Sequence, residues 1–121
     1  MKFSRDARAV QSIRKIERGG ITIGEQHYTQ SLALNHEQII GEWSTPLDSL
    51  TADALAPVLE WQPEMLILGS GWGTARPPRD LVFELAKKGI GLEVMTTDAA
   101  CRTFNILIGE GRQPAALLYI E

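Results

Sequence analysis

Met65-Leu66-Ile67-Leu68 is an unbroken apolar run that ends at Gly69, with polar or turn-forming residues on both sides. A strand with one wet face would alternate. A continuous run fits a strand buried on both faces, the habit of parallel sheets covered by helices. A parallel partner requires a long crossover, usually a helix, and the chain supplies two. Leu81, Val82, Leu85 and Ala86 make one apolar stripe, with Pro78 suited to a first helical turn and Gly89 to a stop. "IGLEVM" reads as the next strand. Thr96 or Thr97 then caps a helix running to about Gly109, with Ala100, Phe104, Leu107 and Ile108 packing inward. "PAALLYI" closes as a last strand. The order strand–helix–strand–helix–strand predicts a parallel three-stranded core with right-handed crossovers.

Upstream the pattern differs. "GGITIGEQHYTQSLALN" alternates and is rich in β-formers, with Gly24-Glu25-Gln26 as a hairpin turn. Val10, Ile13 and Ile16 lean toward a strand before it, and "QIIGEW" toward another that ends at Trp43. Thr51 caps a short helix over "ADALAPVLE", limited by Pro57. Residues 1–121 thus read as a single three-layer α/β domain: an antiparallel N-terminal meander joined to a parallel β-α-β-α-β core. A chain of 121 residues can bury such a core without staples.

Charge is distributed unevenly. Residues 1–18 hold six Lys/Arg against Asp6 and Glu17, whereas Gly19 to Ala75 holds none and carries seven carboxylates. A broad acidic middle disfavours nucleic acid, which needs a continuous basic footprint. No apolar run approaches the roughly 20 residues of a membrane span, so no membrane insertion is expected. "MKFSRDARAV" lacks the apolar segment of a secretory signal. The single Cys101 excludes an internal disulfide and suits a reducing compartment, so the expected location is cytoplasmic.

Gly69-Ser70-Gly71-Trp72-Gly73 follows a strand and precedes a helix, the place where many proteins hold a phosphate. The spacing does not match a dinucleotide fingerprint. Thr74 stands where the third glycine belongs, the helix starts late, and Trp72 crowds the surface that pyrophosphate must approach. No Gly-Lys-Ser/Thr follows, which excludes a phosphate-loop NTPase, and no cofactor is expected. A smaller anion remains an alternative: loop N–H groups, two helix N-termini, Arg76, Arg79 and Arg102 can converge on a carboxylate or phosphate. Ser70 is not in a nucleophile pentad. His27 and His36 lie in the meander, Cys101 reads as a small core residue, and no metal spacing occurs. Trp43, Trp61 and Trp72 sit at element ends, where tryptophan plugs a core edge or anchors a partner. Trp72, between glycines, is the one expected to face a partner.

"GSGWGTARPP", Thr103-x-Asn105-x-Leu107-x-x-Glu110-Gly111-Arg112, and the upstream Gly-x-Ile, Tyr-x-x-Ser and Trp pattern resemble a small domain-of-unknown-function family. It occurs in bacteria and archaea. Its eukaryotic members include a mitochondrial assembly factor for respiratory complex I and an adipogenesis-associated protein. The family usually carries Gly-Thr-Gly where Ser70 stands here, which keeps the hydroxyl. The resemblance implies a three-layer domain without a known reaction or cofactor, and a functional cleft near the glycine loop. It also implies action through protein partners, including a membrane complex under assembly. The expectation is a non-enzymatic accessory protein, able to self-associate, whose partner-binding residues are Gly69, Ser70, Gly71, Trp72, Gly73, Arg76, Arg79, Arg102 and Asn105. The alternative is a small-anion binder or enzyme using Ser70, Arg76, Arg79 and Asn105 at the same cleft.

Overall fold

The computed structural model describes residues 12–120. Strands β1 (Ile13–Glu17), β2 (Gly20–Ile23) and β3 (Gln26–Tyr28) form an antiparallel three-stranded sheet. The hairpins turn between Glu17 and Gly20 and between Ile23 and Gln26. Val10 lies outside the described residues.

The chain then leaves that sheet. Strand β4 (Leu32–Leu34) pairs instead with β5 (Ile39–Ile40) in a second, five-stranded sheet. The expected single meander is therefore split between two sheets, and burial explains why. Gln26 and His27 are exposed, so β3 can border solvent, whereas Leu32, Ala33 and Leu34 are all buried and need cover on both faces. The turn between β4 and β5 is closed by Asn35, whose Oδ1 accepts from the N–H groups of Glu37 (2.9 Å) and Gln38 (2.7 Å).

The remaining elements are α1 (Ala56–Leu59), β6 (Met65–Gly69), α2 (Leu81–Ala86), β7 (Gly91–Met95), α3 (Thr97–Gly109) and β8 (Ala115–Leu118). The large sheet runs β5-β4-β8-β6-β7. β6 is parallel to both β7 and β8, as the apolar run required, and β8 is antiparallel to β4. Side chains along β6 alternate between the faces. Leu66 and Leu68 join Leu50, Leu55, Val58, Leu81, Leu85 and Leu117 beneath α1 and α2. Ile67 joins Ile21, Leu32, Leu34, Phe104 and Leu118, between the sheet, α3 and the small sheet. Three layers result: α1 and α2, the five-stranded sheet, and α3 with the three-stranded sheet.

Two helices are shorter than expected. Thr51 does cap, its Oγ1 accepting from the Ala54 N–H at 3.1 Å, but it closes a turn and α1 begins only at Ala56. Pro78 likewise opens a turn, through Leu81 N–H to its carbonyl at 3.1 Å, and α2 begins at Leu81. The inward stripe of α2 narrows to Leu81 and Leu85, because the helix packs over the outermost strand β7 and leaves Val82 and Ala86 exposed. Helix α3 spans the expected residues, with Ala100 and Phe104 fully buried.

Candidate functional site

Gly69 ends β6 where α3 passes closest to the sheet. A Cβ there would lie 2.9 Å from the Thr97 Cα, 3.0 Å from its Oγ1 and 3.1 Å from the Ala100 Cβ. The first glycine of the loop is thus required by helix–sheet contact. Two residues on, Gly71 has a φ of 92°, a left-handed conformation that favours glycine.

The amides of Ser70 and Gly71 are already engaged. Ser70 N–H donates to the Met95 carbonyl at 2.9 Å, and its hydroxyl donates to the same oxygen at 3.2 Å. Gly71 N–H donates to Thr97 Oγ1 at 2.8 Å, while its carbonyl accepts from Thr97 N–H at 2.8 Å. Thr97 Oγ1 in turn donates to the Tyr119 carbonyl at 2.6 Å. A phosphate cradle needs such N–H groups free and pointing outward. Here they fasten the end of β6 to the end of β7 and to the start of α3.

Gly69 and Gly71 therefore gather around buried Thr97, while Ser70 is held by the Met95 carbonyl. Beyond them, Trp72 is half-buried, and Gly73, Arg76 and Arg79 are exposed. The other two candidates serve α3. Arg102 pairs with Asp98 one turn back at 3.5 Å. The Asp98 carboxyl is held below its ordinary range by the Thr96 hydroxyl first, then by the Ala99 N–H and Arg102, against some opposing burial. Asn105 embraces the backbone of β1: its Oδ1 accepts from Ile13 N–H at 2.9 Å and its Nδ2 donates to the Ile13 carbonyl at 2.8 Å.

Cys101 lies on the buried face of α3, and desolvation, with a smaller contribution from Asp98 against Arg102, pushes its thiol up to about 12. A thiol so held is a poor nucleophile at neutral pH. His27 stacks over Gly20 and meets Thr22 Oγ1 at 3.1 Å. Trp43 and Trp61 are partly buried and pack against the core cluster of Leu55, Val58, Leu66 and Leu68. Among the described residues, no three His, Cys, Asp or Glu side chains are grouped to hold a metal ion, and no helix is long and apolar enough to cross a membrane.

Two features escaped sequence reasoning. Thr97 is the polar hub of the loop, and the only trace of it was the doubled Thr96-Thr97 at the helix start. Phe83, 66% exposed, stands on the outer face of α2 four residues from both Arg79 and Lys87. Its distance from the Leu81/Leu85 stripe was legible in the spacing.

Residues 13–119 match the family profile described as "Protein of unknown function (DUF498/DUF598)". The "13 kDa major membrane protein" of Francisella tularensis subsp. holarctica is 30% identical over 101 residues, covering 81% of this chain and 80% of that protein. The "NADH dehydrogenase [ubiquinone] 1 alpha subcomplex assembly factor 3" of Danio rerio is 44% identical over 70 residues, 58% of this chain. This chain spans only 40% of that factor's length. Among solved structures, an NMR structure of a Xanthomonas campestris protein superposes with a TM-score of 0.82 at 32% identity, covering 91% of this chain and 84% of that one.

Proposed function

This chain belongs to the DUF498/DUF598 family, and we propose that it is a non-enzymatic, assembly-type accessory protein that works by protein–protein contact. The likeness to an NADH dehydrogenase assembly factor supports the assembly role, over the part of that factor which this chain spans. One observation carries the choice of surface. Beyond the internally bonded glycines, the chain presents half-buried Trp72, exposed Arg76 and Arg79, then Phe83 on the outer face of α2 and Lys87 just after its end. Aromatic side chains among cations are the composition of a partner anchor.

The partner in this reading is a subunit of a larger complex under assembly, met in the cytoplasm, where the buried Cys101 thiol stays reduced. The chain itself stays out of the lipid. Quantitative affinity capture with wild type, Trp72→Ala, Arg79→Ala and Phe83→Ala tests the surface. Specific partners are expected to fall away in the variants while folding is unchanged; retention of every partner by all three would rule the surface out. The small-anion reading is tested alongside, by a thermal-shift screen of phosphates and carboxylates. Stabilisation above about 1 kcal/mol at millimolar ligand, lost in Arg79→Ala, would put that reading in its place.

A further inference from the structure

Strand β7 is the outermost strand on its side of the large sheet. Its register, Gly69 opposite Met95 with Ser70 N–H on the Met95 carbonyl, sets the phase of the ladder. Gly91, Glu93 and Met95 turn their backbone groups toward β6, so Leu92 and Val94 turn theirs outward. Among the described residues nothing bonds to those outward groups.

Exposed edges invite pairing, and proteins usually blunt them with brevity, proline, lysine or a bulge. Other edges of this fold are blunted. β5 has two residues, and β1 is closed at Ile13 by the Asn105 amide. β7 has five residues in regular register, with no proline, lysine or bulge. Its flanks are apolar. The helices α2 and α3 that pack on it carry the exposed Val82, Phe83 and Ile106, and Leu92 and Val94 are half-buried on the α2 side. Glu93, exposed on the opposite face, is the one charge of the strand.

We propose that the outer edge of β7 receives an extended segment of a partner protein as a sixth strand. Backbone bonds go to Leu92 and Val94, apolar side chains lie along the α2 side, and a basic residue stands opposite Glu93. A second copy of this chain fits less well. Two-fold antiparallel pairing that sets Leu92 against Val94 also sets the two Glu93 carboxylates face to face, which is repulsive. The inference shares only Phe83 with the surface proposed above and rests on the backbone of β7, so substitutions on β7 leave Trp72, Arg79 and Phe83 in place.

Amide exchange and NMR titration of the full chain test it, with a capped peptide alternating valine and lysine and a control alternating valine and glutamate. In the free protein, the Leu92 and Val94 amides exchange roughly tenfold faster than those of Glu93 and Met95, the worth of one backbone hydrogen bond. Millimolar lysine peptide shifts and protects the Leu92 and Val94 amides, and the glutamate peptide does not. Val94→Pro removes an outward N–H without breaking a ladder bond and abolishes the response. Should that variant not fold, Glu93→Lys reverses the preference between the peptides. Four results overturn the proposal: amides already protected in dilute free protein, protection that grows with protein concentration alone, no response to the lysine peptide, or equal response to both peptides.

Discussion

The backbone of Gly69 and that of Thr97 approach so closely that a single methyl group on Gly69 would lie 2.9 Å from the Thr97 Cα. Neither neighbour can yield cheaply, since one is backbone and the other, Ala100, is fully buried. Gly69→Ala is therefore expected to cost about 1–3 kcal/mol through overpacking, measured as a lower urea midpoint at unchanged slope.

Thr97→Val keeps the shape of the side chain and removes its oxygen. The Gly71 N–H and the Tyr119 carbonyl then lose a buried partner. The expected loss is about 2–3 kcal/mol, since unsatisfied groups carry their full desolvation cost. Thr97→Ser restores both bonds and regains most of it.

Asn105 acts toward Ile13 as a neighbouring strand would, offering one acceptor and one donor. Asn105→Asp keeps the acceptor but turns an oxygen toward the Ile13 carbonyl. It should destabilise by about 1–3 kcal/mol, with β1 amides exchanging faster while those of β6 respond only to the global change.

Alkaline pH should weaken the fold through Cys101. Its thiol ionises near 9.0 when unfolded and only at about 12 when folded, chiefly because of burial. The raised folded value means that this contribution is complete below pH 9 and declines as pH rises toward 12, by about 1.4 kcal/mol per pH unit. Tyr119, whose phenol burial also raises, acts in the same direction. Cys101→Ala should flatten the early part of the decline in chemical denaturation between pH 8 and 11. In the native protein at pH 8 the thiol should resist alkylation until denaturant is added.

Patterns with a single physical cause were legible in the sequence. The apolar run 65–68 announced a strand covered on both faces, and the parallel pairing of β6 with β7 and β8 followed. Helix α3 was readable because its stripe is long and regular. The departure of β4 from the first sheet was not, since alternation marks a strand and leaves its partner open. The glycine loop shows the same limit at the site. Its composition permits a phosphate cradle or a tight junction, and the difference lies in where the N–H groups of Ser70 and Gly71 point. For Ser70 that direction is set by Met95, and for Gly71 by Thr97, 26 residues away in the chain. Asn105 is a similar case, since its partner Ile13 lies 92 residues earlier.

The place of β8 has a consequence for synthesis on the ribosome. The strand made last among those described, Ala115–Leu118, stands between β4 and β6 and is the only link between the antiparallel and parallel parts of the sheet. A nascent chain that has emerged only to Gln113 holds two half-sheets, each with an unpaired apolar margin at Leu32–Leu34 and Leu66–Leu68. Folding must wait for four residues, and until they arrive the protein is itself a client for whatever shields such margins.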